Sequence, residues 1–223
     1  MVKRVAFARV PLLFMGAITA VTIFGLITLL AYTNAAKAPQ QGTPSVFLPL
    51  VMSPSGMCYY VETDDAVVIE MESIPTVEQW QLQTGFPDYT GSGYYVWTGP
   101  DYLAQPGIAV LSYPISLTKS GTYRLNIRNS HPLSPTDFND VWVRLDDRPW
   151  IKGFSNVVDT WTYDFNFDYG GGHLTAAEFF NVQPGLHTLE LSARSAGFRL
   201  DRLVLSTNGM GQLDTWPESP CVP

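Results

Sequence analysis

The sequence predicts an all-β domain, a β-sandwich of two antiparallel sheets, which follows one apolar N-terminal helix. Short stretches of alternating polar and apolar residues recur between turn residues such as Gly, Pro, Asn and Asp. No helical periodicity is present after the first 32 residues, and two cysteines bracket the alternating region. Strands with this spacing and with many aromatic and β-branched residues to bury are typical of a two-layer sandwich, and a jelly roll is the arrangement we predict.

The first 32 residues predict a helix directed to the membrane. Residues 1–9 contain three basic side chains, and residues 10–32 form an apolar run without a charged residue. About twenty apolar residues cross a bilayer as a helix, so we expect a retained membrane anchor. The pattern AKA at 36–38 leaves open cleavage of a signal segment and secretion. Since the basic residues are N-terminal, both interpretations place the remainder outside the cytoplasm, at the cell surface if the anchor is retained.

A linker and one domain follow the apolar run. Residues 33–57 are rich in proline and polar residues, which predicts an extended, hydrated linker. Residues 58–223 then make one domain of about 165 residues, which is long enough to bury a sizeable core.

The charge of the exported part restricts its partners. Four of the 13 basic residues lie in the first 40 positions, which contain no acidic residue, so the remainder has nine basic and 20 acidic residues, a balance of −11. Nucleic acid is excluded as a partner, because its binding depends on Lys and Arg neutralising phosphates. Neutral sugars, proteins and divalent cations suit such an acidic domain better.

Cys58 and Cys221 lie at the two ends of the predicted domain and are the only cysteines of the chain. In an exported protein such a pair predicts a disulfide, and two free thiols are the alternative. By the chain-entropy model, closing a loop of this length stabilises the fold by about 4–5 kcal/mol. The pairing would hold the first strand beside the C-terminal tail.

Nine strands are predicted from alternation, and one of them has a tryptophan on its polar face. In residues 139–147, NDVWVRLDD, the valines and the leucine form the apolar face, and Trp142 lies among the polar residues. Either a loop or second layer covers this indole, or it belongs to a sugar-binding surface. The predicted strands are residues 66–71, 93–97, 108–117, 122–129, 139–145, 161–167, 179–182, 187–193 and 198–205.

No signature of an enzyme is present. The sequence lacks a G-x-S-x-G elbow, an H-E-x-x-H motif and a Cys–His pair, and its triple glycine at 170–172 lacks the Lys-Ser/Thr of a phosphate loop. Paired carboxylates for glycoside hydrolysis are set by distance in the fold, so the sequence alone does not test them. We therefore predict a non-catalytic domain.

Five segments resemble, in order, those of carbohydrate-binding modules of families 6 and 35. VIEME at 68–72 resembles the opening strand of these modules, and GYYV at 93–96 resembles the segment that follows it. GTYRL at 121–125, PGLHTL at 184–189 and GFRLDRL at 197–203 are similar to the middle strand, a later turn and the closing strand. The resemblance covers about residues 66–206 and implies a galactose-binding-like jelly roll.

The resemblance also implies a structural calcium ion, held by two glutamates of the first strand and an aspartate of the last. Carried over, these ligands are Glu70, Glu72 and Asp201. Ca²⁺ takes six to eight oxygen ligands, and glutamates at i and i+2 lie on one face of a strand. The alternative is that these carboxylates lie on a solvated face and in a turn.

A second implied site is a glycan cleft formed by loops at one end of the sandwich, where two aromatic rings hold a sugar. By position these rings are Tyr95 and Trp161, and packing in the core is the alternative for Trp161. Further candidates are neighbouring aromatic residues and the polar side chains suited to sugar hydroxyls. They are Tyr94, Trp97, Tyr163, His131, Asn139 and Asp140.

The sequence departs from the family at Arg199, which takes the place of an asparagine that family 6 clefts often use. Together with Arg128, this residue would favour a ligand bearing a carboxylate. The predicted function is a non-catalytic, calcium-stabilised module that binds an oligo- or polysaccharide outside the cytoplasm. The alternative is a surface adhesion or envelope scaffold protein that uses the same fold to bind a protein partner.

Overall fold

The computed structural model describes residues 58–132, 138–170, 174–208 and 211–223, all within the second of the two units into which the chain divides, Leu50–Pro223. Two short 3₁₀ helices, Met71–Ser73 and Leu213–Thr215, accompany the strands of this part. The strands are β1 Tyr59–Val61, β2 Ala66–Glu70, β3 Trp80–Gln83, β4 Tyr94–Trp97, β5 Leu111–Leu117, β6 Gly121–Ser130, β7 Asp140–Leu145, β8 Ile151–Phe154, β9 Asn166–Asp168, β10 Leu174–Ala176, β11 Glu178–Val182, β12 Gly185–Ser192, β13 Arg199–Ser206 and β14 Cys221–Val222.

These strands form two sheets. The eight-stranded sheet has the order β10-β9-β8-β7-β12-β5-β1-β14, and the six-stranded sheet has the order β11-β6-β13-β4-β3, with β2 also paired to β13. Neighbouring strands are antiparallel, except that β1 runs parallel to β5. The prediction of an all-β sandwich of two antiparallel sheets is thereby confirmed.

The core lies between the sheets and follows from strict alternation along the strands. In β6, Tyr123, Leu125 and Ile127 are fully buried, and in β7 the inward residues are Val141 and Val143. Burying each such side chain contributes about 1.5–3 kcal/mol, so a core of this size is the main source of stability. The outward positions of β7 and its neighbours remain free to form a surface.

The predicted strands match the observed ones closely, apart from residues 161–167. Only Asn166–Asp168 of that segment belongs to a strand, and the residues before it form a loop that touches β6 through one bridge, Thr162 to Asn129. The four aromatic residues of this segment alternate as they would in a strand, but the first two pack their rings on the sheet, Trp161 on Tyr94 and Tyr163 on the cluster of β2 and β13, without joining it as a strand. This corrects the prediction.

The predicted disulfide between Cys58 and Cys221 is confirmed, with 5.2 Å between the two Cα atoms. It joins β1 to β14, which pair antiparallel. The tail before β14 covers the outer face of β2 and β13, where Leu213 and Trp216 contact an apolar cluster that includes Val68. Both ends of the domain are therefore fixed to the sandwich.

The predictions for the N-terminal part, namely the basic segment 1–9, the apolar helix 10–32 and the linker 33–57, lie outside the described residues. Among the residues that the structure describes, no helix is long and apolar enough to cross a membrane.

Candidate functional site

A groove of about 680 Å³ lies on the outer face of the eight-stranded sheet, and we refer to it as the outer-face groove. Its floor contains Trp142 of β7, Lys152 of β8 and Asp168 of β9, which are paired directly across the three strands. Paired residues point to the same side of a sheet, and Val141 and Val143 fill the opposite side, so these three face outward. The other lining residues are Arg148, Pro149, Trp150, Ile151, Tyr169, Gly170, Glu178, Phe179, Phe180 and Arg194.

Four aromatic rings of the groove reach its surface. Trp142 is half-buried, and its indole N–H donates to the carbonyl of Tyr102 at 2.9 Å, which fixes the plane of the ring. Trp150 is also half-buried, whereas Tyr169 and Phe180 are each 55% exposed. Large rings held in place with one face in water are a feature of ligand sites, since core residues are fully covered.

The local sequence explains why these rings face solvent. Phe179 and Phe180 are adjacent in β11, and successive side chains of a strand point to opposite faces, so only Phe179 enters the core. Trp150 follows the turn after β7, in which Asp146 has a left-handed φ of 56°. The guanidinium of Arg144 lies over Trp150, 4.5 Å from the ring centroid, and holds it against the sheet.

Charged side chains surround the rings. The Lys152 ammonium lies 2.5 Å from Asp168, and Arg148 donates to the carbonyl of Phe180 at 3.0 Å. Arg194 lies over Trp142, 4.9 Å from the ring, and forms an ion pair with Asp140 below the groove. Three of the nine basic residues of the acidic domain thus line this one groove, so it contains donors and acceptors side by side.

Two ionisable groups of the groove have shifted pKa values. The hydrogen bond from Lys152, together with that from the backbone N–H of Gly170, lowers the pKa of Asp168. Burial, with the negative charge of Glu178, raises the pKa of the Tyr169 hydroxyl. Asp168 is therefore a charged acceptor at neutral pH, and Tyr169 is a protonated donor.

The aromatic residues predicted from β4 lie away from the groove. Tyr94 and Tyr95 are each 2% exposed, and Trp97 is 1% exposed. The Tyr95 hydroxyl donates to the Ile74 carbonyl, and the Trp97 indole donates to the Pro100 carbonyl. The rings of Tyr95 and Trp97 belong to the core, because β4 is covered on both faces, so the structure places them away from the outer-face groove.

Trp161 is instead part of a cluster that we call the loop cluster, formed by Phe86, Tyr94 and Trp161. The Trp161 ring meets Tyr94 and Phe86 edge-on, with centroid distances of 5.1 and 5.4 Å. Its N–H donates to the carbonyl of Pro87 at 2.8 Å. The structure therefore brings Trp161 to Tyr94 and not to Tyr95, and the rings contact each other without a gap for a sugar between them.

Two predicted arginines flank the loop cluster. The Arg128 guanidinium lies 5.3 Å from the Trp161 ring, and that of Arg199 lies 4.5 Å from the Phe86 ring. Arg199 also donates to the hydroxyl of Ser130 at 3.3 Å. Half-buried Tyr163 donates to Asp214 at 3.0 Å. These side chains come from distant parts of the sequence and contact one another in the fold.

The remaining predicted polar residues are buried. His131 is 0% exposed and lies beside Phe198, while Asn139 and Asp140 are 5% and 7% exposed. Asn139 donates to the carbonyl of Ser155 at 2.6 Å, and Asp140 accepts from Arg194 and Ser195. Asn139 and Asp140 fix neighbouring loops through these hydrogen bonds, and the structure places all three predicted residues in the interior of the domain.

The three predicted calcium ligands lie near one another, at the junction of β2, β13 and the loop before β4. Glu70 and Asp201 both accept from the Thr90 hydroxyl, at 2.7 and 3.1 Å. Glu72 accepts from Ser92, and its second oxygen is buried without a partner among the described residues. Burial raises the pKa of Asp201 to about 6, against the opposing effect of its hydrogen bonds.

As they stand, these residues do not fit a calcium ion. Glu70 forms an ion pair with Arg202, and Asp201 forms one with Arg128, so each carboxylate already has a cation. Within the described part of the chain, no group of three or more His, Cys, Asp or Glu side chains is arranged to hold a metal. The calcium prediction stays a prediction.

Sequence reasoning did not assign the residues of the outer-face groove. Trp142 was the one signal that it raised, through a tryptophan on the polar face of a strand. The adjacent pair Phe179-Phe180 was a second available signal, because one ring of such a pair in a strand faces solvent. Lys152 and Asp168 gave none, since their contact depends on the pairing of β8 with β9.

No protein-family model matches the sequence, and no curated protein matches it. Among solved structures, the Podospora anserina GH26-CBM35 β-(1,4)-mannanase is 18% identical with a TM-score of 0.48, over 67% of this chain and 29% of that one. This chain therefore spans less than a third of the mannanase.

Two isolated modules are matched over nearly their full length. The family 35 carbohydrate-binding module from Clostridium thermocellum is 17% identical over 63% of this chain and 96% of that one, with a TM-score of 0.43. The C-terminal CBM6 of a Zobellia galactanivorans laminarinase is 18% identical over 64% and 99%, with a TM-score of 0.44. Both are carbohydrate-binding modules, of families 35 and 6, and each is less than 20% identical to this chain.

Proposed function

We propose that this protein is a non-catalytic carbohydrate-binding module that holds a glycan in the outer-face groove. The observation that supports this proposal most strongly is the set of four surface rings, Trp142, Trp150, Tyr169 and Phe180, around one groove of about 680 Å³. That volume lies within the usual range of ligand sites, roughly 300–1,000 Å³.

The chemistry of the lining suits a sugar. A flat aromatic ring presents an apolar surface with partial negative charge to the C–H groups on one face of a pyranose. Charged Asp168 accepts hydrogen bonds from hydroxyls, whereas Lys152 and Arg148 donate them. Stacking supplies contact area, and the polar groups supply orientation.

Asp168 of the groove is not suited to donate the proton that glycoside hydrolysis needs. Hydrolysis by paired carboxylates needs one carboxylic acid whose pKa is raised, so that it can protonate the leaving group. The ion pair with Lys152 lowers the pKa of Asp168 instead. Asp168 is therefore suited to accept hydrogen bonds from a glycan and not to protonate a leaving group.

We extend the proposal to the location of the domain. The Cys58–Cys221 disulfide supports a compartment outside the reducing cytoplasm. The apolar run at 10–32 would then hold the domain at the cell surface, or would direct its secretion if cleaved.

A glycan array with the full chain tests the proposal, using neutral and acidic glycans, with calcium and again with a chelator. Selective binding that the double variant Tyr169→Ala/Phe180→Ala abolishes would support it. Leu186→Ala is the matched control, because Leu186 is 52% exposed on β12 and is not among the residues that line the groove. If the folded wild-type chain bound none of the glycans on the array, the proposal would be contradicted.

A protein partner is the second candidate, and the exposure of Tyr169 and Phe180 favours it to a lesser degree. Exposed aromatic groups that adjoin one another are also found at protein interfaces. Sedimentation of the full chain separates the two functions. Self-association that Phe180→Ala disrupts, together with a silent array, would favour a surface scaffold.

A further inference from the structure

The ion pairs at the junction of β2 and β13 connect distant parts of the domain, and Arg202 makes most of the connections. Its guanidinium binds Glu70 of β2, with Nε 2.6 Å from the carboxylate. It also donates to three carbonyls of the C-terminal tail, those of Leu213, Asp214 and Trp216, at 3.0–3.2 Å. One buried side chain therefore joins the first strand of this sheet, the last strand and the tail.

Arg128 of β6 makes the second set of connections. Its guanidinium lies 2.5 Å from Asp201 of β13 and 2.9 Å from Asp214 of the tail. Its side chain is 11% exposed, and that of Asp201 is fully buried. A buried carboxylate needs a cation or several donors, and Arg128 supplies the cation here.

Thr90 links the two ion pairs to each other. Its hydroxyl reaches both Glu70 and Asp201, and its backbone N–H lies 3.0 Å from an Asp201 oxygen. We call these five residues, Glu70, Thr90, Arg128, Asp201 and Arg202, the arginine network. All four carboxylate oxygens of the arginine network have a donor.

We propose that Arg128 and Arg202 take the place of the calcium ion that the sequence resemblance implies, so that the fold is stable without a divalent cation. A calcium ion bound by Glu70 and Asp201 would lie within a few ångströms of two fixed guanidinium charges, which repel it. The second Glu72 oxygen is the one ligand atom left without a donor among the described residues, whereas Ca²⁺ requires six to eight oxygens.

The arginine network also performs the structural task that such an ion would perform. It neutralises the two buried carboxylates and fixes the first strand of the sheet to the last. Unlike a spherical ion, a guanidinium has directed N–H groups, and those of Arg202 additionally bind the tail carbonyls. Stability then depends on the two side chains and not on the calcium concentration.

The first test measures the melting temperature of the full wild-type chain twice, once in excess chelator and once in saturating calcium. Tryptophan fluorescence monitors the unfolding. We expect the two melting temperatures to agree within about 1 °C. An ion bound at about 100 times its Kd would raise the melting temperature by roughly 5–10 °C. A rise of that size in the wild-type chain would overturn the proposal.

The second test removes the guanidinium charges. In Arg128→Gln/Arg202→Gln, we expect a lower melting temperature in chelator and a recovery of several degrees on addition of calcium, because Glu70, Glu72 and Asp201 become free to bind it. Arg144→Gln is the control, since it breaks another arginine–carboxylate pair, with Glu190, on the sheet surface. Calcium should not affect this control.

The proposal would be contradicted if the double variant folds but calcium raises its melting temperature no more than it raises that of Arg144→Gln. If the double variant does not fold, Arg128→Gln alone is measured in the same way, since Arg128 is the more exposed of the two arginines. The two melting temperatures of the wild-type chain show whether its stability depends on calcium, and this measurement requires no variant.

Discussion

The outer-face groove and the loop cluster are both rich in aromatic residues, but their rings contact different things. In the loop cluster, Trp161 touches Phe86 and Tyr94, and its indole N–H is bound to a carbonyl. In the outer-face groove, Tyr169 and Phe180 are each 55% exposed and line the cavity. The first region uses its rings for stability, and the second has rings available for a ligand.

This difference shows that aromatic residues have to be judged by what covers them and not by their position in a family pattern. Sequence position pointed to the loops, where three rings and two arginines do converge. Contact among those rings leaves no room for a sugar. The outer-face groove has four surface rings set among polar groups, which is what a ligand that must be oriented requires.

Trp161→Ala should show the largest effect, and the effect should be on stability. Removing a half-buried indole that contacts Phe86, Tyr94 and Arg128 should lower the free energy of unfolding by about 3 kcal/mol. Glycan affinity of the folded protein should stay within about twofold of wild type. Urea denaturation and an affinity titration measure the two quantities.

Trp161→Phe is the matched control for that experiment. It keeps ring contacts and loses mainly the hydrogen bond to the Pro87 carbonyl, so a loss of about 1 kcal/mol is expected. If Trp161→Ala abolished glycan binding and left stability unchanged, the loop cluster would be the ligand site and the comparison would be reversed.

Trp150→Ala, in contrast to Trp161→Ala, should reduce glycan affinity more than stability. Its ring lines the groove under Arg144, so truncation should weaken glycan binding by about 2 kcal/mol, or roughly 30-fold. The free energy of unfolding should fall by no more than about 1 kcal/mol, since the residue is only half-buried. Unchanged affinity in a folded Trp150→Ala variant would exclude this ring from the site.

Lys152→Met should weaken binding by about 1 kcal/mol, or roughly fivefold, because it removes a donor and leaves Asp168 without its ion pair. Lys119→Met is the control. It breaks a comparable lysine–aspartate pair, with Asp65, at an exposed position that does not line the groove. Equal losses in both variants would indicate a general effect of charge and not a contact in the groove.

The smallest effect concerns pH and His131. Burial lowers the pKa of His131 below its ordinary value near 6.5, against the opposing effect of a hydrogen bond with the backbone of Pro132. Below that pH the unfolded chain takes up the proton first, so stability is full above about 6.5 and decreases as the pH falls towards the folded pKa.

His131→Phe should remove this part of the pH dependence, which denaturation at pH 7 and pH 5 measures. Binding by the folded protein should change little over the same range, because Asp168 stays charged. A His131→Phe variant with the same loss of stability at low pH as wild type would show that another group is responsible.

Much of the fold could be predicted from the sequence, because alternation reports directly on burial. The inward residues Tyr123, Leu125 and Ile127 of β6 are buried as the pattern indicates, and the pairing of Cys58 with Cys221 followed from cysteine number and export. The segment 161–167 was misassigned, because aromatic residues alternating in a loop give the same signal as a strand.

The candidate site could be predicted only in part. A tryptophan on the polar face of β7 raised the question, and the structure answers that Trp142 is held by a hydrogen bond to Tyr102 and lines the groove. The pairing of Lys152 with Asp168 depends on the register of β8 and β9, which were not recognised as neighbours. The arginines beside Glu70 and Asp201 likewise became visible only when β2, β6 and β13 were placed side by side.

The most direct test of the central claim is a hydrogen–deuterium exchange footprint of the full chain with the glycan that gives the strongest array signal. We predict added protection of amides in residues 140–152, 168–170 and 178–180, which supply most of the outer-face groove. Amides at 84–94 and 155–165, around the loop cluster, should exchange as in the free protein. Protection confined to the loop segments would contradict the account and place the glycan against Trp161.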